Sequence, residues 1–215
     1  MEAKNIYNLI ILDESGSMSS IQRQAVSAMN ETFQSVRNAQ KANPENNYYV
    51  SLVVFEGDGV RGVRTVRDRV PVEKIEDIRQ EEYRPGSCTP LYDAMGLAIT
   101  NLDKCIKSDE PVLVTIITDG MENSSNEYSG KAIKELVSRK RENGWTFAYI
   151  GANQDAVEVA RDLHINNALN FEADEDGMEM MSAKLSKATI HFAKCARLMD
   201  CPAPGGFDDL FEDKD

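Results

Sequence analysis

Histidine is scarce in this chain: its 215 residues include two, His164 and His191. One precedes a turn and the other falls in a helical pattern, so each reads as a surface or helix-packing residue rather than a catalytic base. Cysteine is sparse as well. Cys88, Cys105, Cys195 and Cys201 contain no C-x-x-C pair and no zinc pattern with a histidine. Cys105 and Cys195 are expected on apolar helix faces as small hydrophobes. Cys88 has only Arg84 nearby to stabilise a thiolate. Positive charge is outweighed, with 24 Lys and Arg against 36 Asp and Glu for a net charge of −12. No stretch gathers cations with interleaved aromatics, which argues against nucleic acid as a partner. Lys131, Lys134, Arg139, Lys140 and Arg141 share one helix, but Glu135 and Glu142 interrupt them, so a solvated face is expected. No apolar run approaches the roughly 20 residues needed to cross a bilayer, and no membrane partner is expected. The start, Met1-Glu2-Ala3-Lys4-Asn5, lacks the basic and apolar regions of a secretory signal. The expected compartment is the cytoplasm, with reduced thiols.

What is present fits one soluble α/β domain. Hydrophobic residues make up 41% and charged residues 28%, ordinary for a globular chain of this length. Strand and helix patterns alternate, the mark of a largely parallel sheet covered on both faces. Ile6–Leu12 reads as a buried strand. Ile21, Ala25, Ala28, Met29, Phe33 and Val36 recur at helical spacing, with Ser19 or Ser20 as the cap. Tyr48–Phe55 is a second central strand, and Gly57-Asp58-Gly59 turns into Val60–Val70, a short antiparallel edge strand whose arginines protect the edge. Residues 71–88 read as a loop with one helical turn. Pro90 opens a helix carrying Leu91, Ala94, Met95, Ala98, Leu102 and Cys105. A strand over Pro111–Ile117, a helix ending near Asn143 and Gly144, a strand over Trp145–Ile150, a short helix and a last strand over Ala168–Phe171 follow. The closing helix, about residues 175–199, has an apolar stripe of Met178, Met181, Leu185, Ala188, Phe192, Cys195 and Met199. It is expected to pack on the protein's own sheet, with a coiled-coil seam as the alternative.

The chemistry lies at strand ends. Asp13-Glu14-Ser15-Gly16-Ser17 follows the first strand directly, placing one carboxylate and two hydroxyls on a tight turn. Thr118-Asp119-Gly120 follows the strand over Pro111–Ile117, and Thr89 precedes the helix opened by Pro90. Hard oxygen ligands of this kind suit Mg²⁺ or Mn²⁺, with Ca²⁺ the alternative, rather than a thiophilic metal. Alone, D-x-S-x-S reads equally as a turn whose serines cap the following helix. In an open parallel sheet, ligands bind beyond the carboxyl ends of the strands where the connections diverge. Asp13 and Asp119 should both face that crevice.

Asp13, Ser15, Ser17, Thr89 and Asp119 together resemble the metal-ion-dependent adhesion site of the von Willebrand factor A family, whose best-known members are integrin I domains. The resemblance covers roughly residues 5–190 and implies a doubly wound, mostly parallel Rossmann-like sheet of the bacterial cytoplasmic type. It further implies that Ser15 and Ser17 bind the metal directly, that Thr89, Asp13 and Asp119 bind directly or through water, and that a partner protein's Glu or Asp completes the coordination. The implied role is a metal-dependent adaptor. Cytoplasmic relatives working beside tellurium-resistance, kinase or phosphatase components point to stress responses. A metal-assisted phosphoryl-transfer or hydrolytic enzyme is the competing class. It lacks the G-x-x-x-x-G-K-[ST] and G-x-S-x-G motifs and a well-placed Lys, so no enzyme is expected. A domain that holds metal only for stability is the third.

Around the same rim, Glu56, Asp58, Glu122, Asn123, Asn153, Gln154 and Asp155 are candidates for partner selection. For Asn153 or Asp155 helix initiation is the alternative. Asp93, one turn into the Pro90 helix, is expected to hold the Thr89 loop as an acceptor. The domain is assigned to residues 1–201. Residues 202–215 read as a Pro/Gly linker with an acidic tail, either disordered or a binding segment anchored by Phe207, Leu210 and Phe211. An acid of that tail reaching the metal site of the same or a neighbouring molecule would give autoinhibition or self-association.

Overall fold

The computed structural model describes residues 3–57, 62–152, 156–198 and 204–211. The apolar segments form strands β1 (Asn5–Asp13), β2 (Asn47–Phe55), β3 (Val63–Pro71), β4 (Val112–Thr118), β5 (Thr146–Ala152) and β6 (Asn167–Phe171). They make one sheet in the order β3-β2-β1-β4-β5-β6. Only the β2–β3 pair is antiparallel. Along β1, Ile10 and Leu12 enter one core cluster while Leu9 and Ile11 enter the other, the period-2 alternation of a strand buried on both faces. Helices α1 (Gln22–Ala42) and α5 (Glu175–Leu198) cover one face. Helices α2 (Leu91–Asp103), α3 (Gly130–Glu142) and α4 (Ala156–Asp162) cover the other. This is the doubly wound α/β sheet expected from the alternating pattern. From β1 the chain connects to β2 on one side while β4 pairs on the other, so the crevice opens at the carboxyl ends of β1 and β4. Among the described residues, no helix is long and apolar enough to cross a membrane.

Several local expectations need correction. The edge strand is not short: β3 has nine residues, as many as β2, with register shifts near Leu52. Neither Ser19 nor Ser20 caps α1. The chain leaves β1 through a 3-10 turn, Gly16–Ile21, and α1 begins without a side-chain cap. Two 3-10 turns, Val72–Lys74 and Gln80–Glu82, replace the single turn expected in residues 71–88. Cys105 lies beyond the end of α2 and is exposed, because the helix stops at Asp103 before the apolar stripe reaches it. The α3 cations are not all solvated. Lys140 is 5% exposed, pairs with Asp103 and stands 5.3 Å over the Trp145 ring. The α5 stripe packs on the protein's own core through Met178, Met181, Leu185, Ala188 and Phe192. Cys195 is half-buried, 3.6 Å from His191 Nε2 one turn away, while Met199 and Cys201 lie outside the described residues.

The tail departs furthest from expectation. Residues 204–211 are docked, with Leu210 in the core cluster and Phe207 set edge-on against Phe192, ring centroids 5.7 Å apart. Phe207 N donates to Thr146 Oγ1 at 2.9 Å, Asn167 Nδ2 donates to the Phe207 carbonyl at 2.8 Å, and Leu210 N donates to Asn167 Oδ1 at 2.9 Å. Arg141 clasps the strap through the Gly205 carbonyl and Asp208 at 3.1 Å each. A domain boundary at residue 201 therefore cuts through a packed unit. Thr146 and Asn167 begin β5 and β6, so the strap lies at the amino end of the parallel strands, opposite Asp13 and Asp119. Residues 212–215 lie outside the described residues.

Candidate metal centre

At the carboxyl end of β1, Asp13 is fully buried and held from several sides. Its Oδ1 accepts the Ser15 N–H at 2.7 Å, its Oδ2 accepts the Thr118 hydroxyl at 2.5 Å, and its carbonyl accepts the Tyr83 hydroxyl at 2.5 Å. The Ser15 and Ser17 hydroxyls lie 3.1 Å apart, and Ser17 Oγ donates to Asp119 Oδ1 at 2.6 Å. Neither serine hydroxyl caps the turn that follows: Ser15 occupies the cap position of the 3-10 turn with no side-chain bond to it. The capping alternative is therefore not what these side chains do.

Gly120 brings in the fifth residue. A Cβ on Gly120 would sit 2.9 Å from Thr89 Oγ1 and 3.7 Å from Asp13 Oδ2, so both oxygens converge on the space that the missing side chain leaves. Thr89 is 3% exposed, whereas Ser17 is exposed and Asp119 half-buried. The cluster is thus closed below and open above. Burial pushes the Asp13 carboxyl up to about 6, with hydrogen bonds from Thr118 and Ser15 opposing it and the Asp119 charge adding to it. Burial likewise raises Asp119. Two such carboxylates favour a cation between them. The donor set is oxygen throughout and includes two carboxylates and three hydroxyls, which fits Mg²⁺ or Mn²⁺ and does not exclude Ca²⁺ by chemistry. Among the described residues no three His, Cys, Asp or Glu side chains cluster for a metal, so any ion here relies on Ser and Thr.

The remaining expectations divide. Glu56 follows β2 but is fully buried, so it is not a rim residue. Glu122 is turned inward: its carboxylate accepts from Tyr92 N, Ser124 N, Ser125 N and Ser125 Oγ at 2.7–2.9 Å. Asp93 does not touch Thr89. It accepts the N–H groups of Asn126, Glu127 and Tyr128 at 2.8–2.9 Å and shapes the loop after β4. The Thr89 loop is held instead by Asn123, whose Oδ1 accepts Thr89 N at 2.9 Å while its own N–H donates to the Thr89 carbonyl at 3.1 Å. Asp58, Asn153, Gln154 and Asp155 lie outside the described residues. The first α4 amide, Ala156 N, is accepted by Asn170 Oδ1 at 2.8 Å. Thr118 and Tyr83, which hold Asp13, have no signature in the sequence, since a Thr in an apolar strand and a Tyr in a loop carry no spacing signal. Met121, two residues after Asp119, is 72% exposed. A groove of about 470 Å³ between α2 and the β2–β3 edge, floored by Leu9, Val53 and Leu102, shares no residue with this cluster.

Fold and site together define a doubly wound domain with an oxygen-lined cluster at its switch point. The von Willebrand factor type A domain model matches residues 9–183, and the chain belongs to that family. No curated protein sequence matches it. Solved structures similar to it include a von Willebrand factor type A protein from Catenulispora acidiphila (14% identity, TM-score 0.60, 90% of this chain and 43% of that one). The pilus adhesin SpaC from Lactobacillus rhamnosus GG is also similar (15%, 0.63, 88% and 31%). So is a D319A mutant of the PilB minor pilin from Streptococcus sanguinis (11%, 0.62, 89% and 63%). At these identities the likeness is one of fold, and the chain spans less than two thirds of each of these proteins.

Proposed function

We propose that this chain is a divalent-metal-dependent protein-binding domain. The observation that carries the reading is the direction of the Ser15 and Ser17 hydroxyls. The two hydroxyls lie 3.1 Å apart with Ser17 Oγ bonded to Asp119 Oδ1, while Thr89 Oγ1 and Asp13 Oδ2 both flank Gly120. Asp13, Ser15, Ser17, Thr89 and Asp119 would hold Mg²⁺ or Mn²⁺, with Ca²⁺ the alternative. When bound, the ion supplies a Lewis-acidic centre whose exchangeable position accepts a carboxylate. Ser17 and Asp119 lie on the open side, so an approaching Glu or Asp of a partner meets them first, and Met121 offers that partner an apolar contact. Similarity in fold to a pilus adhesin and a minor pilin agrees with a binding role. The competing enzymatic reading would use the same strand-end carboxylates, Asp13 with its raised pKa among them, and turnover lost in Asp119→Ala would favour it.

Calorimetric titration of the metal-stripped protein with Mg²⁺, Mn²⁺ and Ca²⁺, beside Asp119→Ala, tests the reading. Saturable binding by the wild type, lost in the variant, is expected, followed by acetate binding only when the metal is present. Metal binding that raises the melting temperature without any carboxylate affinity would favour the purely structural role.

A further inference from the structure

Glu14 occupies the variable place between Asp13 and Ser15, where a side chain is free to point to solvent. Here it is fully buried. Arg64 Nη2 donates to both of its oxygens, at 2.7 and 3.0 Å, and the Arg84 N–H donates to one of them. The same Arg64 nitrogen donates to the Glu82 carbonyl at 2.8 Å. Backbone bonds run alongside: Gly86 N donates to the Glu14 carbonyl at 2.8 Å, and Gly16 N donates to the Ser87 carbonyl at 3.0 Å. From the same segment the Tyr83 hydroxyl reaches the Asp13 carbonyl. Two loops are stapled here. One carries Asp13, Ser15 and Ser17; the other runs from Glu82 to Ser87 and delivers Thr89. Arg64 belongs to β3, so the staple also ties both loops to the sheet edge.

Burying the Glu14 carboxylate against a half-exposed Arg64 guanidinium is costly and contributes little net stability. Its most direct consequence here is geometric. Thr89 and Asp13 approach the Gly120 space from the two stapled loops, and their separation follows from how those loops are joined. Mg²⁺ demands a near-octahedral shell at about 2.0–2.1 Å, whereas Ca²⁺ accepts six to eight oxygens at about 2.3–2.6 Å in flexible geometry. A fixed loop spacing therefore discriminates between them, and a loosened one does not.

We infer that Glu14, clamped by Arg64, is a positioning residue that fixes the spacing between the Asp13–Ser17 loop and the Thr89 loop and thereby sets the site's preference for a small divalent ion over Ca²⁺. This rests on the metal-binding reading above.

The test compares wild type, Glu14→Gln and the paired variant Glu14→Leu/Arg64→Met, which removes the buried carboxylate together with its half-exposed partner and so leaves no unpaired charge behind. For each, Mg²⁺ and Ca²⁺ affinities are measured by calorimetry, and amide hydrogen exchange is followed without metal. In the variants the Gly16 and Gly86 amides should exchange faster while the β1 and β4 amides stay protected. The ratio of Mg²⁺ to Ca²⁺ affinity should fall by about tenfold or more, the size of effect typical of residues that orient ligands. A purely structural Glu14 would lower both affinities by one factor or leave them alone, and an unchanged ratio or unchanged loop exchange overturns the inference. Wild type that binds neither ion overturns the metal-binding reading itself, and this inference with it.

Discussion

At the scale of single residues, the cluster sets one fully buried carboxylate and one half-buried carboxylate among hydroxyl groups. The Asp13 carboxyl, at about 6, lies above its ordinary 3.8, chiefly through burial. The metal-free fold is therefore stabilised by the proton below pH 3.8, and that contribution, about 3 kcal/mol at most, is lost as pH rises through about 6. A metal must displace the same proton. Its affinity should fall about tenfold for each pH unit below about 6 and level off above it; titrations from pH 5 to 8 check this, and a flat profile contradicts it. Glu82 works in the opposite sense. The hydrogen bond from Arg67 holds it down to about 2, so its contribution is present at neutral pH and disappears only in strong acid. Gly120→Ala provides a steric test. Its Cβ would crowd Thr89 Oγ1 and force that side chain to shift, so the expected result is metal affinity reduced by about tenfold, with a smaller proportional effect on the melting temperature. Calorimetry and thermal unfolding of the same samples separate the two effects.

Elements explain why part of this was legible in the sequence and part was not. Asp13 and Asp119 could be placed because β1 and β4 are long apolar runs, each ending in a turn, and a parallel sheet sends both ends to one crevice. Loop residues had no such frame. Asp93 stands four residues after Thr89 in sequence, yet it faces the loop after β4, where it accepts three successive N–H groups. Glu122 likewise closes the start of α2 instead of facing a partner. The two roles part experimentally. Asp93→Ala should cost about 2 kcal/mol of stability, judged from the bonds it forfeits, with metal affinity changed less than about threefold. Asn123→Ala removes the acceptor for Thr89 N and should weaken metal binding by about tenfold with a smaller loss of stability. Denaturant unfolding beside calorimetry distinguishes them, and the reverse pattern would restore Asp93 as the support of Thr89. Val, Arg and Thr alternating on β3 mark an edge strand, but nothing in that alternation points to Glu14, fifty residues away, as the acceptor for Arg64.

For the whole molecule, the end that carries Asp13 and Asp119 and the end that carries the strap are separate. The strap over residues 204–211 joins the starts of β5 and β6 to α5, and Arg141 of α3 fastens it. Gly206 permits this course: at φ +71° it adopts a left-handed conformation, and a Cβ there would lie 2.4 Å from the Trp145 carbonyl. Nothing in the sequence Pro-Ala-Pro-Gly-Gly marks that docking, because its partners Thr146 and Asn167 are ordinary strand residues and its acids resemble a solvated tail. Ending the chain after Cys201 exposes the Leu210 pocket and removes the Phe207 contact. It should cost about 4 kcal/mol, roughly 10 °C in melting temperature for a chain of this size, while leaving metal affinity unaltered. A truncated protein that melts like the full chain would show that the strap adds nothing. The central claim is that Asp13, Ser15, Ser17, Thr89 and Asp119 hold one divalent ion with a position open to a partner's carboxylate. Anomalous diffraction from crystals soaked in Mn²⁺ tests it most directly. The expected result is a single anomalous peak within coordinating distance of the Ser15, Ser17 and Asp119 side chains, with an exchangeable ligand on the solvent side; manganese absent from that cluster at saturating concentration, or bound only elsewhere, would contradict it.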